Sequence, residues 1–355
     1  MAFVEGYPGE IATARLSLRR PVEADRELWV RLHRDPSLYR HAPWAILPSD
    51  GAASEQFDGV LAHWEEHGFG YHVVERDGGP VGVGGLRTGR DGEANLYYRL
   101  SGDQHGQGYA CEAARAWVAA GLERLPLTVT AVAKEHNLAS VRTALGAGLG
   151  RAGTRVLADD PIDSGASVLF RASRVEVLRE QGFTAARRRD VVDLWCRVTE
   201  AGGAVGFLPG DGREAHTAAV AAHEESMRAG LATCVLVRDP DAPGDPDPAI
   251  VGLGWWVREA TPLKAHVRSA YRVMTDPEKR GRNLGRILMA AMHREARVDG
   301  AELVTLGVRG GLGLESFYAG CGYAEVGRVP GGIRVGRKPS GEWDDRDDVL
   351  MARRL

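Results

Sequence analysis

The stretch Asp276-Pro277-Glu278-Lys279-Arg280-Gly281-Arg282-Asn283-Leu284-Gly285-Arg286 decides the fold. It follows a strand-like apolar run, Tyr271 to Thr275, and leads into Ile287-Leu288-Met289-Ala290-Ala291-Met292, which reads as helix. A strand, a short Gly/Arg turn and a helix start together make an anion site. The first N–H groups of a helix have no partner inside it, and the macrodipole places partial positive charge there. Glycines let the backbone approach a ligand closely, and arginines add fixed charge suited to phosphate. The same pattern also serves a plain surface turn, so its weight depends on whether the chain uses it again.

The first half carries a counterpart, His105-Gly106-Gln107-Gly108-Tyr109-Ala110, between strand-like Ala94 to Leu100 and a helical segment, Cys111 to Leu122. Other landmarks recur in the same order. Glu27-Leu28-Trp29, in a helix expected over Asp25 to Arg34, is matched by Asp193-Leu194-Trp195. A hairpin of Gly70 to Glu75 and Val81 to Leu86, turning at Arg76-Asp77-Gly78-Gly79-Pro80, is matched by Thr233 to Arg238 and Ile250 to Val257. Its second turn is lengthened by the Pro/Asp segment 239–248, which reads as a solvated loop. Val81-Gly82-Val83-Gly84 answers Val251-Gly252-Leu253-Gly254, and Gly148 to Gly153 answers Gly322 to Gly327. A register held through successive elements predicts two copies of one α/β domain, 1–172 and 173–355, joined near Arg171 to Glu176.

Length and composition agree with two soluble globular cores: 355 residues, 44% hydrophobic, 26% charged and a net charge of −3. Only four lysines occur, so the positive charge is nearly all arginine, and no basic stripe marks a nucleic-acid partner. Cys111, Cys196, Cys234 and Cys321 are scattered without a C-x-x-C pair, so neither a metal site nor a disulfide framework is expected. Met1 to Gly9 lacks a signal pattern and no run approaches membrane-spanning length. A cytoplasmic protein with no membrane partner is expected, as a monomer with an internal pseudo-dimer or as a homodimer.

With those residues in hand, the chain resembles the GNAT superfamily of N-acetyltransferases, in a tandem arrangement covering nearly all of it. The family's acyl-CoA turn reads Arg/Gln-x-x-Gly-x-Gly/Ala. The first copy gives His105-x-x-Gly108-x-Ala110 and the second Arg280-x-x-Asn283-x-Gly285. Both depart from the pattern, at His105 and at Asn283, although Asn tolerates left-handed backbone better than most residues. The first copy is similar to the branch that includes ribosomal-protein acetyltransferases, through Gly106 to Ala110 and Asn137-x-x-Ser140. The second is similar to the general branch, through Phe317-Tyr318 and Gly322-Tyr323. The resemblance implies an α+β fold with a mixed central sheet flanked by helices in each half. It also implies acetyl-CoA as co-substrate, held by His105, Gly106, Gln107, Gly108, Tyr109, Ala110 and Asn137 and by Arg280 to Arg286.

The implied reaction is direct acetyl transfer to a primary amine of a small molecule such as an antibiotic or metabolite. An amine with a pKa of about 10.4 arrives protonated, so a carboxylate or an ordered water must accept a proton. The acyl oxygen needs a preorganised donor, which the family takes from backbone N–H on the strand before the turn. That strand holds Val273, Met274 and Thr275 in the second copy, and Tyr98, Arg99 and Leu100 in the first. Tyr318, where the family places its tyrosine acid, is the candidate for returning a proton to the CoA sulfur. Its counterpart in the first copy is Ala144, with Ser140 as the substitute there. This asymmetry favours the second half as the catalytic one.

The base stays open among Glu93 and Asn95 in the first copy and His266, Glu200, Glu224 and Glu225 in the second, each more readily read as a solvated surface group. Trp255-Trp256 could line an acceptor site, although alternation sends one of the pair to the core. Two other readings stand beside this one: an aminoacyl-tRNA-dependent transferase and a catalytically silent acyl-CoA-binding protein.

Overall fold

The computed structural model describes residues 3–89, 92–157, 160–161, 164–242 and 244–355. They divide into two compact units, Met1–Ser173 with Pro240–Pro246, and Arg174–Asp239 with Asp247–Leu355. In the first, the chain runs β1 (Glu10–Ala12), β2 (Ser17–Arg19), α1 (Arg26–Arg34), α2 (Asp50–His67), β3 (Tyr71–Arg76), β4 (Gly79–Thr88) and β5 (Ala94–Leu100). It continues with α3 (Tyr109–Arg124), β6 (Val129–Lys134), α4 (Leu138–Gly146), β7 (Leu149–Arg155) and β8 (Ser167–Ala172). Helix α1 buries Leu28, Trp29, Leu32 and His33, a stripe along one side, against Phe57 and Val60 of α2 and Val73 and Val83 of the sheet. Helix α2 has no counterpart in the sequence reading, because Gly51 and Gly59 interrupt its stripe. Its ends are nonetheless well marked. Ser49 accepts from the Ala52 N–H at the start, and Gly68, at φ 74°, closes it where a Cβ would meet the Val4 carbonyl oxygen at 2.3 Å.

The second unit runs β9 (Val175–Leu178), α5 (Ala185–Glu200), α6 (Arg213–Arg228), β10 (Ala232–Arg238), β11 (Ile250–Arg258) and β12 (Val267–Thr275). Helix α7 (Leu284–Val298), β13 (Leu303–Arg309), α8 (Leu314–Ala319), β14 (Ala324–Arg337) and β15 (Trp343–Arg354) complete it. The first sheet has the order β1-β2-β3-β4-β5-β6-β8-β7, and the second, read from its other edge, β9-β10-β11-β12-β13-β15-β14. Apart from β1, the two orders are the same. Each sheet is mixed, with one parallel pair, β5 with β6 and β12 with β13, among antiparallel neighbours. Both faces of the second sheet are covered. Trp255 packs with Trp195 of α5 in one core, and Trp256 donates from Nε1 to the Met292 carbonyl of α7 on the other side. Both tryptophans are therefore core residues, and an acceptor role for Trp255-Trp256 falls away.

The parallel pair in each unit is short, and this opens the site. Strand β5 matches β6 only from Ala94–Val129 to Leu96–Ala131. Beyond that β5 stays with β4 as far as Leu100, while β6 leaves with β8 as far as Lys134. The sheet splits into a Y, with backbone along the fork that no strand among the described residues pairs with. Strands β12 and β13 part in the same way after Ser269–Thr305. Among the described residues no helix is long and apolar enough to cross a membrane.

Three histidines in the first unit, His33, His63 and His72, are buried neutral. Burial pushes each down to about 4, with the Arg99 charge adding to the effect at His33. His72 Nε2 donates to the Pro8 carbonyl at 3.1 Å, while its Nδ1 has no partner among the described residues. Since the folded values lie below the ordinary 6.5, the stability these rings lend is complete above pH 6.5 and is lost as pH falls through about 4. Thermal unfolding followed by circular dichroism should show Tm falling over that window, as stability drops by up to about 3 kcal/mol per histidine. His72→Gln should flatten part of the slope. A Tm independent of pH between 6.5 and 4 would refute the assignment.

Candidate active site

The two turns adopt one backbone path. In the first, His105 is extended, Gly106 and Gly108 have φ of 76° and 81°, and α3 starts at Tyr109. In the second, Arg280 is extended, Gly281 and Asn283 have φ of 80° and 58°, and α7 starts at Leu284. Asn283 thus takes the left-handed conformation that Gly108 takes in the first copy. The first ladder bonds are Glu112 N–H to Gly108 O and Ile287 N–H to Asn283 O. The N–H groups of Tyr109, Ala110 and Cys111, and of Leu284, Gly285 and Arg286, therefore lie outside the helix's own ladder.

Side chains behind the first turn hold its shape. Glu112 accepts from Arg15 N at 2.8 Å, from Arg15 Nε at 2.6 Å and from Thr13 Oγ1 at 2.7 Å, so its charge is already matched. Arg15 Nη1 donates to the Gln107 carbonyl at 3.0 Å, and the Arg15 and Arg76 guanidiniums lie 4.5 and 5.0 Å from the centre of the Tyr109 ring. The His105 side chain folds back to the Leu100 carbonyl at 3.1 Å. Gln107, which also donates from its side chain to the Asp103 carbonyl, and Tyr109 and His105 thus use their side chains to build the turn.

Strand alternation sorts the backbone donors along the fork. Ala94 N–H donates to Thr128 O and Ser101 N–H to Val81 O. Between them, the N–H groups of Tyr98 and Leu100 point into the gap, and that of Arg99 points to β4. In the second unit Asp276 N–H donates to Val251 O, so Val273 and Thr275 face the gap. Met274 does not: its N–H turns to β11 and its side chain lies in the core. The two strands also differ by one residue. The ladder of β4 with β5 is unbroken, whereas Arg272, at φ 53°, and Val273 together lie opposite Gly254. That bulge shifts the offset between the copies from 174 to 175 residues.

A cavity of about 530 Å³ lies at the fork of the first unit. Its walls are β5 and β6, the turn from His105 to Cys111, helix α4, and the segment of Leu38, His41, Ala42 and Ala45. On the α3/α4 face of β5, three hydroxyls meet. Tyr98 donates to the Ser140 carbonyl at 3.2 Å, and burial raises its phenol while hydrogen bonds from the Ser140 and Thr143 side chains pull it back. Asn137 caps α4 by accepting from the Ser140 N–H at 3.3 Å, which fixes Ser140 on the first turn of that helix, at the cavity wall. Ala144, the counterpart of Tyr318, is buried one turn further on. On the opposite face Tyr97 and Arg99 line the same cavity.

The second unit places its candidates differently. Tyr318 is 9% exposed, with ring centres of Phe317 and Tyr323 at 5.1 and 5.8 Å in edge-on contacts, and burial raises its phenol strongly. Phe317 lies against the first turn of α7: a Cβ on Gly285 would sit 3.0 Å from its ring. Arg286 donates to the Gly320 carbonyl, tying α7 to α8.

The candidate bases are also corrected. Glu93 is 8% exposed rather than solvated, paired with Arg155 at 2.8 Å and Arg171 at 3.2 Å; burial raises it, but those partners hold it below the ordinary carboxylate value. Glu224 is 1% exposed and serves Arg188 and the Phe183 N–H. Two charges so committed are poor proton acceptors. Glu200, which accepts from Gly210 N–H, and Glu225 and His266 are exposed, while Asn95 is half-buried and donates to its neighbour's carbonyl. Among the described residues the one carboxylate on the cavity wall is Asp160, 2.8 Å from Lys134. Sequence reasoning passed over Tyr97, Thr143 and the hydroxyl of Tyr98. Alternation along Tyr97-Tyr98-Arg99 was the available signal, with successive side chains sent to opposite faces. Among the described residues no group of three or more metal-binding side chains is assembled.

Residues 15–149 match the family described as acetyltransferase (GNAT) domain. No curated protein matches the chain. Similar solved structures include an acetyltransferase from Agrobacterium tumefaciens, at 27% identity and TM-score 0.38, covering 46% of this chain and 94% of that one. A GCN5-related N-acetyltransferase from Kribbella flavida is similar at 19% identity and TM-score 0.40, covering 51% and 98%. A ribosomal-protein α-N-acetyltransferase in complex with coenzyme A is similar at 16% identity and TM-score 0.38, covering 46% and 96%.

Proposed function

We propose, from the match of residues 15–149 to the acetyltransferase (GNAT) domain family, that the chain moves an acetyl group from acetyl-CoA directly to a primary amine of a small molecule, in the cleft of its first unit. The observation that carries this reading is the cavity at the fork, where helix-start amides, strand N–H groups and a hydroxyl cluster converge. Its volume of about 530 Å³ falls in the range of small-molecule sites. Acetyl-CoA would supply the activated acyl group. The N–H groups of Tyr109, Ala110 and Cys111 suit its pyrophosphate. The Tyr98 N–H, unpaired in the fork, is the donor for charge developing on the acyl oxygen. Ser140, backed by Tyr98 and Thr143, passes a proton to the departing sulfur and recovers one from the acylated nitrogen as the intermediate collapses. With Asp160 committed to Lys134, the proton of the incoming ammonium leaves to water.

This reverses the preference read from the sequence, which put the chemistry in the second half. The support for the change is local. Tyr318 packs as a core aromatic, and Phe317 and Arg286 crowd the start of α7. The second turn, Arg280 to Arg286 with Val273 and Thr275 behind it, keeps the backbone of an acyl-CoA turn and is read as a weaker site. The test is release of free thiol from acetyl-CoA with a panel of primary amines, each product checked by mass spectrometry. Amine-dependent release with an acetylated product is expected. Tight acetyl-CoA binding without release would instead favour a silent acyl-CoA-binding protein.

A further inference from the structure

Resting on that reading, we propose that the first-unit cleft selects amines that carry a carboxylate beside the reacting nitrogen, α-amino acids being the simplest, with Arg99 as the anchor. Arg99 lies across β5 from Tyr98 and Ser140, yet all three line one cavity. It therefore meets whatever enters from the face opposite the hydroxyl cluster.

The direct contacts that hold Arg99 are to neutral groups, while the Asp35 carboxylate feels its charge without bonding to it. Arg99 Nε donates to Tyr97 Oη at 2.7 Å, its Nη1 to the Leu38 carbonyl at 3.4 Å, and its guanidinium lies 3.7 Å from the Tyr39 ring centre. The tyrosine is itself oriented. His33 Nδ1 contacts the Trp29 carbonyl at 2.8 Å, and a carbonyl only accepts, so Nδ1 carries the proton of the neutral ring. His33 Nε2 is then an acceptor, and Tyr97 O–H donates to it at 2.8 Å. Tyr97 Oη is left to accept from Arg99. The chain Arg99 to Tyr97 to His33 to Trp29 fixes the guanidinium without neutralising it.

Every hydrogen bond described for Arg99 ends on an uncharged oxygen, and Nη2 makes none among the described residues. The other cations of the wall are accounted for differently. Lys134 is matched by Asp160, and Arg142 stands on α4, the face of the hydroxyl cluster. A partly desolvated cation without an anion is costly unless a ligand brings one. The planar fork of arginine fits a carboxylate bidentately. A peptide N-terminus offers an amide at that position, and a polyamine brings further positive charge, so both leave Arg99 unmatched.

The test uses the full-length chain, acetyl-CoA and matched acceptors: α-amino acids, their carboxamides, and the corresponding decarboxylated amines. Acids should exceed both relatives in kcat/KM by about tenfold or more. Arg99→Gln should raise KM for acids about tenfold and bring the acid-to-amide ratio towards one, with acetyl-CoA affinity by calorimetry unchanged. Arg99→Lys, which keeps the charge without the fork, should recover part of the ratio. Equal use of acids and amides would overturn the proposal. So would a parallel loss of acetyl-CoA affinity in Arg99→Gln, which would make Arg99 a cofactor-phosphate ligand. If no amine supports thiol release, the transferase reading fails by itself. Calorimetry with an N-acetyl amino acid then decides the anchor: binding lost in Arg99→Gln supports it, and no binding to the native chain overturns it.

Discussion

Ser140→Ala is expected to lower turnover about 100-fold while changing acetyl-CoA affinity by less than about twofold, the pattern of a group used in the proton step. The hydroxyl sits on the cavity wall beside Tyr98 and Thr143, at the start of a helix capped by Asn137, so its removal leaves the fold's supports in place. Tyr98→Phe should lose a similar factor, because that phenol donates to the Ser140 carbonyl and sits against its hydroxyl. Tyr318→Phe provides the contrast. If the second unit carried the chemistry, that change would reduce turnover and Ser140→Ala would not. Steady-state kcat for the three variants, with calorimetry for acetyl-CoA, separates the two assignments.

Gly108→Val should weaken acetyl-CoA binding by about 30-fold, whereas Gly108→Asn should keep most of it. Gly108 has φ of 81° directly before α3, and a Cβ there would find only Arg15 Nη2, at 3.5 Å. The obstacle is conformational rather than spatial. A β-branched residue in left-handed backbone costs about 2 kcal/mol, which at 1.4 kcal/mol per decade is the stated factor. Asparagine pays less of this, and Asn283 occupies the matching position of the second turn at φ 58°. The titration is also expected to give one tight site per chain. If Gly108→Val left that site intact, the tight turn would be the second one, and the assignment of the cleft would fall with it.

Much of this could be read from residues next to each other in the chain. The equivalence of Gly108 and Asn283 follows from spacing, and both adopt the left-handed geometry that their residue types tolerate. Asn137-x-x-Ser140 entered only as a resemblance, and the structure adds that Asn137 caps the helix there. Side-chain fate was less legible. Glu93 and Glu224 look like surface charges in sequence, yet each is buried against arginines far along the chain. Trp255 and Trp256 alternate as a strand demands, but helices cover both faces of the sheet, so neither reaches a cleft. Arg99 appeared in the sequence only as a strand position, because the proposed role rests on its having no hydrogen-bonded carboxylate among the described residues, and that is a property of the folded surroundings.

The order of most strands and helices, the repeat of the pattern and two turns of matching backbone path were determined by sequence alone, because backbone preference and apolar periodicity act over a few residues. Which turn opens onto a usable cavity was decided only by tertiary structure. The α7 start is crowded by Phe317 and by the Arg286 tie to Gly320, while the α3 start faces the hydroxyls of Tyr98, Ser140 and Thr143 across an open fork. Cavity shape and charge pairing arise from residues distant in sequence that meet on folding, and no local pattern encodes them.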